Sequence, residues 1–356
     1  MKKWVKNAAI STMVSSLIIT AGCGNSGTTE GASQATTPQE TSKTDQIQKR
    51  TIKFATTVAK THPAGIGMDK FAEIVAEKSG GNITVQTFFD AQLGSDLQMA
   101  DAVRNGTLEM GMMAAAPLVG TVKEYGIFDL PYTFANEKEI DAVLQGPFGQ
   151  KMLDLLPQYD WIGLDWWESG FRNVSNNQHP IEKVEDFKGL KIRTMENQIH
   201  LEAFRRFGAN PTPMAFSEVF SALESNTIDG QENPVQIIET SKFNEAQKYL
   251  SLTKHVYAPA IVLTSKKFWD GLSEEEKKIL QDAADEAGEF ERETNRSSTE
   301  QTIENLKASG MEVNEISAEE LKKMQDLTKP VADQFASQIG EDIVKEFFAE
   351  LEKARQ

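Results

Sequence analysis

The chain has 356 residues, enough for two domains or one large one, and its 37 Lys and Arg against 53 Asp and Glu give a formal charge of −16. A hydrophobic fraction of 39% with 25% charged residues is that of a soluble globular protein, and a pI near 4.9 excludes the basic face a nucleic-acid binder needs. One cysteine excludes an internal disulfide and a cysteine-clustered metal site, and four scattered histidines leave little for any other metal centre.

In chain order, the first element is an address. Lys2, Lys3 and Lys6 precede an uncharged, apolar and small-residue run from Ala8 to Ala21. That run is shorter than the ~20 apolar residues of a membrane span and fits a secretory signal peptide. Cys23 follows at once, in Thr20-Ala21-Gly22-Cys23, which resembles a bacterial lipoprotein cleavage box with Cys23 as the lipidated residue. Residues 23–50 are rich in Gly, Ser, Thr and Gln and cannot offset their ordering entropy by burial, so they read as a tether. The expected body therefore sits at the outer face of a cytoplasmic membrane.

The body reads as α/β. Thr51 to Ala55 is a strand, Met68 to Lys78 a helix with Met68, Phe71, Ala72, Val75 and Ala76 on one stripe, and Ile83 to Phe89 a second strand. A helix at Leu97–Arg104 and a strand at Met110–Met113 follow, and this alternation predicts parallel crossovers. Trp161 to Trp167 is another strand, in which Trp166 and Trp167 face opposite sides, so that at most one of them can see a cleft. Lys191 to Arg193 is a short strand, Gln198 to Phe207 and Ser217 to Ser225 are helices, and Pro259 to Thr264 is a last apolar strand. Ser273 and Glu276 form a capping box for a helix of about 36 residues that spans two lobes or breaks near Gly288. Further helices start at Ser317 and run from Phe335 to Ala354, with Pro330 between them. Two lobes sharing strands and helices leave a cleft, the expected place for a small ligand.

Three segments carry chemistry. Gly189-Leu190-Lys191-Ile192-Arg193 delivers an arginine at a strand end, suited to a bidentate grip on a ligand carboxylate or, equally, to a surface ion pair. Asn210-Pro211-Thr212-Pro213-Met214-Ala215-Phe216 is a proline-stiffened loop that presents Phe216 as a cleft wall or as core. Ile228 to Pro234 reads as a turn that holds Asn233 extended, with its amide able to donate to a carboxylate and accept from a hydroxyl. No Gly-x-Ser-x-Gly elbow, P-loop or His-Glu-x-x-His occurs, and the Glu196/His200 pair is the sole mimic of an acid–base couple, so catalytic residues and cofactors are not expected.

Taken together, "GLKIR", "GANPTPMAFSEVFSALESNTIDGQENP", "QLGSD" at 92–96 and "SGFRNVSN" at 169–176 resemble the DctP family, the extracytoplasmic solute-binding subunits of tripartite ATP-independent periplasmic (TRAP) transporters, over about residues 51–350. The resemblance implies a two-lobed periplasmic-binding-protein-like fold with an interdomain cleft and a long helix across both lobes. The expected division is 51–169 with 258–298 in one lobe and 170–257 with 299–356 in the other. It implies a monomer that hands an organic acid to TRAP membrane permease subunits. It also implies that Arg193 grips the ligand carboxylate, that Arg172 of Gly170-Phe171-Arg172 is a second arginine, and that Asn233 and Phe216 line the site, with Gln92 of QLGSD in the same set. Glu196 and Ala114 stand where similar sialic-acid binders carry an asparagine and a glutamate, which argues against sialic acid. Glu196 and His62 could serve ligand hydroxyls, favouring a sugar acid such as a uronate. A C4-dicarboxylate would instead use Arg172 and be repelled by Glu196. A receptor feeding a sensor kinase is the alternative class.

Overall fold

The computed structural model describes residues 47–356; the expected signal peptide, Cys23 and most of the expected tether lie outside the described residues. The first lobe begins with β1 (Arg50–Ala55), α1 (Pro63–Lys78), β2 (Ile83–Phe88), α2 (Asp96–Asn105) and β3 (Met110–Ala114). β1 pairs in parallel with both β2 and β3, as the alternation predicts. The start of α1 lies five residues before its hydrophobic stripe. His62 is the N-cap, its Nδ1 accepting the Ala64 N–H at 3.1 Å, and Pro63 takes the first helical position, where a missing N–H costs nothing. α2 opens on a Ser95/Gln98 capping box and closes on left-handed Gly106 (φ 73°).

α3 (Glu137–Leu144) and α4 (Pro147–Leu153) lead into β4 (Trp161–Asn176), which runs far beyond the tryptophans. The second lobe holds β5 (Lys191–Thr194), α5 (Gln198–Phe207), β6 (Asn210–Pro213), α6 (Val219–Glu224), β7 (Gly230–Asn233) and α7 (Val235–Thr240). β8 (Tyr249–Ser265) returns antiparallel to β4, and α8 (Lys266–Trp269), α9 (Glu274–Ala308), β9 (Glu312–Glu315), α10 (Ala318–Thr328), α11 (Pro330–Ile339) and α12 (Glu341–Arg355) complete the chain. The sheet order is β2-β1-β3-β8-β4-β7-β5-β6, with β9 on β8. β4 and β8 thus belong to both lobes and, with the long helix α9, link them.

Several sequence expectations need correction. The Ile228–Pro234 turn contains an inner strand, β7, bonded to β4 and β5; its side chains are polar, yet all four residues are buried because their partners lie on neighbouring strands. The proline loop contains β6, an edge strand, where a missing N–H faces outward and is tolerated. The 217–225 helix is a 3₁₀ turn at Phe216–Glu218 followed by α6. The 259–264 strand is the end of 17-residue β8, whose Thr253-Lys254-His255 segment interrupts its apolar pattern. α9 is unbroken over 35 residues, about 52 Å. Gly288 is there for close approach: a Cβ would collide with Asp165 and Trp167 of β4. α11 and α12, expected with the second lobe, pack on the cluster of Phe128, Phe148 and Trp166 beside α3 and α4, because their apolar faces (Val331, Phe335, Ile339, Phe347, Leu351) complete that core.

All three tryptophans of β4 are core. Trp161, Trp166 and Trp167 donate their indole N–H to the carbonyls of Ala100, Gly149 and Ala284, and none reaches the cleft.

The two linking strands lose their lateral register at the lobe boundary. Arg172 pairs with Val256 and Val174 with Ser251, so Asn173 alone faces the four residues from Leu252 to His255. Lys254 there has φ 43°, and its N–H is taken by the Asn173 side chain at 3.1 Å in place of a ladder bond. A further shift flanks Gly170, at φ 108°. Strands unpaired over such a stretch bend more readily than a continuous ladder.

Candidate functional site

A cavity lies between the lobes, lined by residues of both. Thr56 to Val58, His62, Asp96 and Met112 to Ala114 form one wall; Arg193, Met195, Phe216, Asn233 and Ile237 form the other; Ser169 and Arg172 of β4 are its floor.

Arg193 is placed by β5 and is 2% exposed. Its Nε and Nη2 both donate to the Met214 carbonyl, at 3.0 and 2.7 Å, which fixes the fork on its own lobe. Its Nη1 is buried and has no hydrogen-bond partner among the described residues. Burial pulls this guanidinium down to about 10, with Glu232 opposing, and it stays charged at neutral pH. A buried cation with an unused donor is a receptor for an anion.

Arg172, on the adjoining floor, is committed. Its guanidinium pairs with both carboxylate oxygens of Glu232 and with the Glu232 carbonyl. His255 Nε2 lies 3.1 Å from the same carboxylate. Burial pushes the Glu232 carboxyl up, but Arg172, His255 and His200 together hold it well below the ordinary range. His200 approaches Glu232 at 4.0 Å and Asp129 at 2.9 Å, and Asn197 donates to Asp129 at 2.7 Å. The charge of Arg172 is thus spent inside a buried network.

His62 contributes a donor. Burial drops it to about 3, so the ring is neutral at physiological pH. Nδ1 accepts from the helix, which puts the proton on Nε2, a buried atom without a partner among the described residues. Asp96 contributes an acceptor. Thr57 Oγ1 donates to it at 3.0 Å, and burial pushes its carboxyl up to about 6, with Arg193 opposing. Phe216 is half-buried, its ring tilted against that of Phe243 with centroids 5.8 Å apart, and Asn233 is buried on β7 with its amide donating to Gln231.

Of the residues singled out from sequence, Arg193, Arg172, Asn233, Phe216 and His62 converge on this cavity. Glu196 and Gln92 do not. Glu196 is exposed just past the end of β5, close enough for its charge to act on Arg193 and Asp96 but outside the lining. Gln92 is exposed in the turn after β2, where left-handed Asp90 and Ala91 carry the chain outward. The Glu196/His200 couple is not formed, since His200 is turned to Asp129. Asp96 and Glu232 were missed. They stand inside the QLGSD and QENP segments, and only the tertiary pairing distinguishes them from other acidic residues. Among the described residues no group of three or more His, Cys, Asp or Glu could hold a metal ion.

The description "Bacterial extracellular solute-binding protein, family 7" (DctP) matches residues 54–338. Among solved structures, the sugar acid binding protein DctPAm of Advenella mimigardefordensis strain DPN7T in complex with galactonate is 42% identical, superposes with a TM-score of 0.85, and covers 86% of this chain and 99% of its own. The 2,3-diketo-L-gulonate-binding periplasmic protein YiaO of Escherichia coli (strain K12) is 34% identical over 305 residues, 85% of this chain and 92% of that relative. The C4-dicarboxylate-binding protein DctB of Bacillus subtilis (strain 168) is 32% identical over 303 residues, 85% of this chain and 86% of that relative.

Proposed function

The chain belongs to the DctP family of extracytoplasmic solute-binding proteins, which bind a small organic-acid anion and deliver it to a TRAP membrane permease, and from that membership we propose that its own ligand is a hydroxylated sugar acid. The observation that carries the choice is the cavity's charge inventory. One guanidinium with a free nitrogen, Arg193, stands across the cavity from Asp96, a carboxylate that among the described residues has no cationic hydrogen-bond partner. A single ligand carboxylate satisfies Arg193, while ligand hydroxyls donate to Asp96 and accept from His62 Nε2. Buried polar groups left unpaired cost affinity, so a ligand that fills all three roles is favoured. A second ligand carboxylate would meet Asp96 and find Arg172 already paired with Glu232. This reading moves to Asp96 the part that the sequence suggests for Glu196. The galactonate bound by DctPAm is a hydroxylated monocarboxylate of this kind.

The same reading gives the lobes their work. A carboxylate held by Arg193 from the second lobe and hydroxyls held by Asp96 and His62 from the first bridge the cleft and favour closure. The Thr20-Ala21-Gly22-Cys23 segment further supports a lipid anchor at Cys23, with residues 24–50 as the leash.

The second reading is a C4-dicarboxylate, favoured by the similarity to DctB and by Arg172 reaching the cavity floor. Thermal melting against galactonate, galacturonate, glucuronate, succinate and malate separates the two, because a ligand at 100 times its Kd stabilises the native state by about 2.7 kcal/mol. Melting raised by several degrees with sugar acids is the expected result. Shifts with succinate and malate alone would overturn the sugar-acid reading in favour of the second.

A further inference from the structure

The ligand cavity has a counterpart on the other side of the linking strands. An open crevice lies behind β4 and β8. The two spaces share a partition one strand thick. Ser169 and Arg172 of β4 face the ligand cavity, whereas Glu168, Phe171 and Asn173 face the crevice. α7 divides in the same way, with Ile237 to the front and Gln236 to the back.

The crevice has one wall from each lobe. Ala135 to Lys138, at the start of α3, stand on the core that α4 and α12 complete. Leu321 and Gln325 of α10 stand opposite, on a helix seated in the second lobe's core through Met324. The partition between them is the segment where β4 and β8 lose register, at Gly170 and at Asn173 facing Lys254. Two lobes turning about that segment cannot open on both sides at once. Widening the ligand cavity brings the Ala135 wall toward the Gln325 wall, and closing on ligand parts them.

We propose that this rear crevice sets ligand affinity without touching ligand: it must narrow for the ligand cavity to open, so bulk placed in it drives the protein toward the closed, ligand-holding form. The energetics are those of a population shift. The apparent Kd is the closed form's intrinsic Kd divided by the fraction of free protein already closed, so anything that disfavours the open form tightens binding. The crevice residues act as positioning residues for closure, and the effect is independent of which organic acid is bound.

Ala135→Trp in the full-length chain tests this. Ala135 is exposed on the crevice wall, and the substitution removes no side-chain hydrogen bond. The expected result is a galactonate Kd at least fivefold lower by calorimetry and a correspondingly slower dissociation in stopped flow. Gln325→Trp places the same bulk on the opposite wall and should act in the same direction, which keeps the test open if one variant folds poorly. Affinity unchanged or weakened in the folded variants overturns the proposal. If the wild type does not bind galactonate, the sugar-acid reading fails by itself, and the wedge comparison is then made with succinate.

Discussion

Two arginines lie buried in one cavity, and they solve the cost of burial in opposite ways. Arg172 sits on the floor with Glu232 against it and two histidines beyond, a closed account of charge. Arg193 sits on the wall with only a carbonyl for company and one nitrogen idle. The first arrangement stabilises the protein as it stands. The second leaves free energy to be recovered when an anion arrives. The same residue type is therefore structural in one place and receptive in the other, and its partners, not its identity, decide which.

The sharpest way to break this comparison is to remove each guanidinium in turn. Arg172→Ala leaves Glu232 buried without its counter-charge, and loss of one partner of a buried pair costs about 3–5 kcal/mol. Chemical denaturation of the ligand-free protein should show that loss. Arg172→Met combined with Glu232→Leu, which removes both charges, should recover most of it. If Arg172→Ala alone leaves stability unchanged, the pair is not what holds the floor. Arg193→Ala is expected to do the reverse. Ligand affinity should fall by at least 100-fold in calorimetry, about 2.7 kcal/mol, while ligand-free stability is unchanged or raised. Unchanged affinity would remove Arg193 from the carboxylate site.

The asymmetry between these arginines was only half legible in the sequence. Both could be named, Arg193 because GLKIR places an arginine at a strand end and Arg172 because Gly170-Phe171-Arg172 resembles the family motif. Neither segment says which will find a partner. That depends on β7 lying beside β4, and β7 was hidden: Gly-Gln-Glu-Asn has no apolar alternation, so its burial could not be read from local pattern. The long elements were legible for the converse reason. α9 carries its own start signal in Ser273 and Glu276, and α5 its own stop in Gly208, so tertiary context had little to overrule. Asp96 escaped notice because it also serves as an ordinary acidic residue in the first turn of α2. Glu196 stands out by its place in the family resemblance, and two residues beyond the strand are enough to turn it to solvent.

A third buried group sharpens the comparison by doing neither. Glu291 of α9 is fully buried against Gly67 of α1 and the β4 irregularity. It accepts the Glu168 N–H at 2.9 Å and a longer contact from Asn295, and among the described residues no cation pairs with it. Burial pushes its carboxyl from 4.5 up to about 8, and the nearby Glu168 charge adds to that, so it meets the cost by keeping its proton. The neighbouring carboxylates are treated differently: Asp165 pairs with Arg292, and Glu168 with Arg296. The consequence for stability has a definite sign. Between pH 4.5 and about 8 the unfolded chain has released this proton and the folded protein has not, so the native state binds more protons and stability falls as pH rises. The contribution is fully present below pH 4.5 and is lost as pH rises through about 8. Glu291→Gln keeps the shape and removes the titration. Its melting temperature should exceed that of the wild type by a few degrees at pH 8, and the gap should shrink to nothing near pH 4.5, since the Asp165 and Glu168 pairs titrate alike in both proteins. A gap that does not change with pH would mean that Glu291 is ionised in the fold, and that its charge is balanced as that of Arg172 is.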